Sequence, residues 1–317
     1  MRNTERSGYS KAAGSALNAI GTDITKAKTL PNAMKAAGLD WEVSVGTLKG
    51  TRRVVENRVG IERSTDGKVL GIVSPVYQLF QNREGFSFID ALLEEGLILE
   101  RGGELRGGRI VYVVARFPQT FKVADDVHVP RMLFQMGHGC GEGAAIRGAY
   151  FAEREWCNNQ MPGVLATTEG EAYFRVIHNS KMRTNLEKAK AAMRLAAEQQ
   201  KAVVGWLRKT TTVKVSEADI LRTVEAIFGP LGDDAPAQQR RKAETFQDIL
   251  GQEIKVNGLT AYSLVNTVTG YANHALTYQG DGPARAEARF RAVFIQGNSH
   301  NFARVGLSVI RDQFKKL

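Results

Sequence analysis

The side chains best able to do chemistry lie between Phe134 and Lys190. A glycine-rich turn, Gly137-His138-Gly139-Cys140-Gly141-Glu142-Gly143, is followed by Trp156-Cys157-Asn158-Asn159 and then by Ile177-His178-Asn179. Imidazole and thiol groups are the usual ligands of zinc and the usual partners in a nucleophile–base pair. The spacing here favours neither. Cys140 and Cys157 have no C-x-x-C or H-x-x-x-H partner, so no metal and no cofactor is expected, and no local signature surrounds a Cys157–His178 dyad. The glycines could bring backbone N–H groups to an anion, yet no Gly-Lys-Ser/Thr follows them. Strand patterns on both sides make a hairpin connection the simpler reading. Asn158 and Asn159 suit either capping of the next segment or hydrogen bonding to a ligand.

A second set is electrostatic. From Arg175 to Lys214 there are ten basic residues (among them Arg175, Lys181, Arg183, Lys190, Arg194 and Lys201) against two acidic ones, Glu187 and Glu198. Lys190, Arg194, Lys201 and Arg208 recur at intervals of four, seven and seven. On a helix that spacing places them along one side, where they would follow a phosphate backbone. A merely solvated face would intersperse more Glu among the cations. Just before it, Arg147, Arg154 and Arg175 alternate with Tyr150, Phe151, Trp156 and Tyr173, a mixture that suits stacking of single-stranded bases and also suits a sheet core.

The whole chain agrees with a basic, globular protein. Its 317 residues are 43% hydrophobic and 24% charged, enough to bury a full core, and its net charge of +10 attracts polyanions. Two cysteines are too few for a disulfide framework. No apolar run approaches the roughly 20 residues of a membrane span. The first residues, Met1 to Arg6, lead into Ser/Ala/Gly-rich sequence without an apolar signal core. A soluble, cytoplasmic protein without membrane association is expected.

The elements that must hold these residues read as α+β: an antiparallel sheet with packed helices in the N-terminal two-thirds, and a mainly helical C-terminal part. Residues 1–38 read as a flexible basic arm with a short helix near Leu30 to Met34, residues 39–214 as the α+β core, and residues 215–317 as the helical region. Strands are expected at Trp41–Val45, Arg53–Val59, Val69–Val73 after the Asp66-Gly67 turn, Leu97–Glu100, Ile110–Phe117, Arg131–Met136 and Ala144–Phe151. Helices are expected at Phe86–Leu93, from Ser180 through Leu207, at Gln238–Leu250, at Thr260–Tyr271 and from Arg285 onward. Tyr262, Asn266, Tyr271 and His274 place polar groups at helical spacing, which fits an inter-helix hydrogen-bond network as well as a binding site.

Several short blocks carry a resemblance. Ile72-Val73-Ser74-Pro75-Val76-Tyr77-Gln78-Leu79-Phe80-Gln81-Asn82, the Phe88/Ala91/Leu92 helix, Gly107-Gly108-Arg109, Cys157-Asn158-Asn159, His178 and the stretch Thr260 to His274 resemble the phage/plasmid-like proteins, catalogued as domain of unknown function 932. The likeness spans most of residues 40–310. One block departs from it: relatives follow the equivalent of His138 with Asp-Gly-Ser, where this chain has Gly139-Cys140-Gly141-Glu142. That departure weakens any metal or acid/base role for the block, although Glu142 could supply the acidic group. The resemblance implies work on mobile DNA. The order of strands followed by helix is also similar to that of single-strand annealing recombinases, an analogy at the level of fold.

Together these readings predict a nucleic-acid-binding protein of a phage or plasmid, a single-stranded DNA annealing or recombination protein acting without catalysis, as a homo-oligomer. The residues expected at the nucleic acid are Arg147, Arg154, Trp156, Asn158, Asn159, Arg175, His178, Lys181, Arg183, Lys190, Arg194 and Lys201. Two alternatives stay open: a hydrolytic or metal-dependent enzyme built on His138, Cys157 and His178, and a structural protein-interaction factor.

Overall fold

A computed structural model describes residues 15–139, 145–155, 157, 159–162, 173–177, 200–295 and 298–314. The architecture is α+β, with antiparallel sheets in the N-terminal part and helices in the C-terminal part. In chain order the strands are β1 (Thr22–Asp23), β2 (Val43–Lys49), β3 (Val54–Arg63), β4 (Val69–Val73), β5 (Ile98–Leu105), β6 (Ile110–Arg116), β7 (Phe121–Val123), β8 (Asp126–Gly137), β9 (Ala145–Arg154), β10 (Asn159–Pro162) and β11 (Tyr173–Ile177). The helices are α1 (Leu30–Ala36), α2 (Asn82–Phe86), α3 (Ile89–Glu94), α4 (residues 200–212), α5 (Glu217–Phe228), α6 (Ala237–Asn257), α7 (Ala261–Gly270), α8 (Gly282–Phe290) and α9 (Asn298–Gln313). A π turn, Tyr271–Ala275, extends α7, and a second, Arg291–Ile295, extends α8.

The main sheet runs β1-β5-β6-β8-β9-β10, with β7 also paired to β8 and β11 also paired to β9. Its centre explains why Ile110–Arg116 is an unbroken apolar run. Six of its seven residues are buried, because both faces of β6 are covered. Val111, Val113 and Ala115 enter one core with Met34, Phe86, Phe134 and Met136. Ile110, Tyr112 and Val114 enter a second core with Phe290 and Phe294, from the end of α8 and its π turn. The period of two along the strand thus deals alternate residues to two helical layers.

The smaller sheet, β2-β3-β4, packs its Val43, Ile61 and Val73 face into the first core. Its β3–β4 hairpin turns at Asp66-Gly67 as expected, Gly67 taking φ 68° and Asp66 bonding the Arg63 guanidinium. Gly71 on β4 lies so close to the main sheet that a Cβ there would collide with the His138 carbonyl oxygen. The strands on either side of the glycine-rich stretch are antiparallel neighbours, Met136 of β8 pairing with Ile146 of β9, while residues 140–144 lie outside the described ones.

Two expectations need correction. Residues 15–38 do not behave as an arm: β1 pairs with β5, and Leu17, Ile24, Leu30 and Met34 are each at most 3% exposed. Small residues such as Ala16 and Ala33 misled the reading, because they fill narrow core sites as readily as they populate linkers. The expected helix at Phe86–Leu93 is two short helices broken at Ser87, and the first opens earlier, with the Glu84 carboxylate accepting from the Gln81 N–H. α1, α6, α7, α8 and α9 stand near their expected places, whereas the helix expected from Ser180 through Leu207 lies outside the described residues up to residue 199, and α5 was not expected. α6 and α7 follow the 3.6-residue stripe, and α7 starts where Thr260 accepts from the Ser263 N–H. α5 is announced by a capping box, Ser216 with Asp219.

Candidate functional site

The polar residues of this protein converge where one end of the main sheet meets α6 and α7. Alternation along β8 and β9 turns Asp126, His128 and Arg154 toward the helices. Arg154 is 1% exposed, and its guanidinium lies 2.6 Å from Asp126 and 2.8 and 2.9 Å from the two Glu253 oxygens of α6. Tyr262, from the first turn of α7, donates its hydroxyl proton to Asp126 at 2.9 Å, and the same hydroxyl lies 3.0 Å from His128 Nε2. That single proton is already given to Asp126, so His128 must donate from Nε2 and is the Nε2–H tautomer. Burial, with Arg154 nearby, pushes the His128 imidazolium down to about 4, so the ring is neutral at physiological pH. Burial also raises Tyr262 well above the ordinary phenol range, so it keeps its proton. Two carboxylates therefore share one guanidinium and a network of neutral donors, Asn257 adding a 3.0 Å bond to Glu253.

Beside this hub the π turn meets β10. His274 Nε2 donates to the Asn159 side-chain oxygen at 2.8 Å and to the Cys157 carbonyl at 3.0 Å. Asn159 in turn donates to the Asn266 carbonyl at 3.5 Å. Asn273 donates to Gln160 O at 3.3 Å and to Thr269 O at 2.7 Å. The wider π turn lets two consecutive residues, Asn273 and His274, both reach the same strand, and such turns recur at functional positions. Burial, with Arg289 nearby, pushes His274 down to about 4. On the other face of the sheet the chain of contacts continues from Gln160 through Glu153, Arg131 and Glu100 to Arg116. Burial raises the Glu153 carboxyl against the pull of Arg131.

A third contact, at the opposite end of β8, ties His138 to the N-terminal part. Its Nε2 lies 2.7 Å from Asn82 Oδ1, while the Asn82 amide donates to the carbonyls of Leu39 and Trp41. Trp41 tilts against the imidazole with centroids 5.2 Å apart.

A family model described as a domain of unknown function (DUF932) matches residues 69–294. The chain belongs to the DUF932 family. No curated protein and no solved structure matches it. The DUF932 region contains both histidine–asparagine pairs, Asn82–His138 and Asn159–His274. Each pair joins two blocks far apart in the chain, so these residues act as long-range ties within the DUF932 fold.

Several expected ligand contacts take other places. Arg154 was expected at a nucleic acid; it is instead sealed into an ion-pair hub, because only a charge with two buried carboxylates at hand can be retained inside a sheet–helix interface. Asn159 is 2% exposed and serves the π turn. Arg147 is half-buried on β9, in register with Gln135 of β8 and with Arg175 of β11. Lys201 is exposed on α4. Cys140, Glu142, Trp156, Asn158, His178, Lys181, Arg183, Lys190 and Arg194 lie outside the described residues. Burial pushes the Cys157 thiol up to about 12, which makes it a poor nucleophile near neutral pH. Among the described residues no group of three His, Cys, Asp or Glu side chains is placed to hold a metal ion, and no helix is long and apolar enough to cross a membrane.

Asp126, His128, Glu253 and Glu153 escaped the sequence reading. An Asp-x-His pair facing one side of a strand that is otherwise apolar on that side was the available signal. Glu253 gave none, since a Glu on a long helix ordinarily faces water.

Proposed function

We propose that this DUF932 protein binds single-stranded DNA through phosphate contacts and acts in annealing or recombination without catalysis, as a cytoplasmic homo-oligomer of phage or plasmid origin. One observation carries the reading. α4 and the residue pair after it expose Lys201, Arg208, Lys209 and Lys214, with no acidic residue from Gln200 to Lys214, while Val203, Trp206 and Leu207 anchor the opposite side in the core. Lys201 and Arg208 are two helical turns apart, so a rigid helix holds a row of cations outward. The chain's net charge of +10 has the same sign. Phosphate binding of this kind needs no base-specific contacts and tolerates any sequence. Oligomers go with it, because annealing requires a groove longer than one chain.

The test is fluorescence anisotropy with labelled single- and double-stranded oligonucleotides across a salt series, with a Lys201→Glu/Arg208→Glu variant alongside. Preferential single-strand binding that weakens with salt, and that the variant loses, supports the reading. Absence of binding at low salt removes it.

A further inference from the structure

A cavity lies apart from the buried polar seam, where the start of α6 faces α5, α9 and the first π turn. It measures about 390 Å³. α5, the π turn and α9 contribute Phe228, Tyr271 and Phe302, and the first two turns of α6 contribute Gln238, Gln239 and Lys242. The rings form a prebuilt aromatic wall: Tyr271 and Phe302 stack with centroids 4.7 Å apart at 27°, and Phe228 lies 5.8 Å from Phe302. Phe228 and Phe302 are only half-buried, so ring surface remains open to the cavity.

The α6 side has the opposite character. The helix begins after Pro236 with no side chain capping it and no acidic residue in its first turn. The orphan N–H groups and the helix dipole therefore present positive potential at this end. Lys242 adds a full charge within the lining, and Arg240 and Arg241 stand exposed beside it. Asp233 and Asp234, in the preceding turn, do not line the cavity. The Gln239 amide is committed to the Pro230 carbonyl at 2.6 Å, which leaves Gln238 as the exposed amide at the lip.

A planar apolar body that stacks on rings, joined to an anionic group, fits both sides at once. We infer that this cavity takes a nucleotide unit, either a free mononucleotide or one residue of a single strand. The base lies against Phe302 and Phe228, the phosphate sits between the α6 N-terminus and Lys242, and the Gln238 amide meets a base edge. As a strand residue the nucleotide deepens the single-strand reading and rests on it; as a free mononucleotide it does not. Tyr271 opens the π turn that also holds His274, so an occupant here touches the turn that ties α7 to β10.

Isothermal titration calorimetry of the full chain with dAMP, dTMP and inorganic phosphate tests this, with competition by dAMP against a labelled single-stranded oligonucleotide. The variants are Phe302→Leu and Lys242→Gln, each checked for an unchanged urea midpoint. The exposed Lys242 position carries the test if Phe302→Leu fails to fold. Saturable dAMP binding is expected, about ten-fold weaker in either variant. Competition with the oligonucleotide assigns the site to a strand residue, and saturable dAMP binding without competition assigns it to a free nucleotide. No dAMP binding at millimolar concentration, phosphate binding as tightly as dAMP, or affinity unaffected by Lys242→Gln overturns the inference. Oligonucleotide binding without dAMP binding sinks this site and leaves the proposed function standing; dAMP binding without oligonucleotide binding does the reverse.

Discussion

At the residue scale the protein depends on one arginine. Arg154 neutralises two carboxylates from different layers, Asp126 of the sheet and Glu253 of α6. Arg154→Leu would leave both buried without their cation, a change expected to cost about 3–5 kcal/mol. Urea denaturation should show the loss, and an unchanged midpoint would mean that the hub contributes nothing to stability. Buried His128 and part-buried His274 set a pH dependence. His128 and His274 are held near 4 in the folded protein against about 6.5 when unfolded. The unfolded chain therefore binds more protons between those values, so their contribution to stability is complete above pH 6.5 and is lost as pH falls toward 4. Each loses up to about 3 kcal/mol by pH 4. Glu153, whose carboxyl is raised, acts with the opposite sign and offsets part of that loss. His274→Gln keeps an N–H for Asn159 without a titrating ring, so its thermal midpoint should fall less steeply between pH 6.5 and 4 than that of the parent. Parallel curves would assign the acid sensitivity elsewhere.

At the scale of elements, α7 is held by close approach. Gly306 of α9 faces Val268 of α7, and a Cβ at that glycine would come within 2.8 Å of the valine Cγ1. Gly306→Leu should push the two helices apart and destabilise by about 1–3 kcal/mol, with partial rescue by Val268→Ala. Scanning calorimetry of the single and double variants checks this; independent, additive effects would deny the contact. The same packing places Tyr262, Asn266 and Asn273 against the sheet. Ten consecutive buried residues in α7 leave that helix no solvent face, so Thr267 and Thr269 return their hydroxyls to carbonyls of α7 itself, Ser263 bonds the preceding turn, and Tyr262 reaches Asp126 of the sheet.

For the whole molecule the charge distribution matters most. The buried Arg154 is matched by internal ion pairs, whereas α4 exposes Lys201, Arg208 and Lys209 with no acidic residue from Gln200 to Lys214. If Lys201 and Arg208 each neutralise one phosphate of a single strand, the Lys201→Glu/Arg208→Glu variant should show a log K against log salt slope shallower by about 1.4. Anisotropy titrations from low to moderate salt read that slope directly. A weaker affinity with an unchanged slope would mean that the two residues shape the surface rather than touch phosphate.

Periodicity made much of this architecture legible. Ile110–Phe117 reads as a strand and Thr260–Tyr271 as a helix, because β-branched runs and 3.6-residue spacing are local properties of the chain; that both are buried on all sides is a result of packing. The polar spacing of Tyr262, Asn266 and His274 fits a hydrogen-bond network and a binding site equally well, and the contacts of Tyr262 and His274 are those of a network. Which residues complete that network was a tertiary matter. Arg154 reads as a cation free to meet phosphate, and only the approach of Glu253, 99 positions later, turns it into a buried hub. Asn82 meets His138 and Asn159 meets His274 across 56 and 115 positions, distances over which no local pattern carries information. The packing of residues 15–38 into the core was equally invisible, since small side chains disclose their sites only when the neighbouring surfaces are in place.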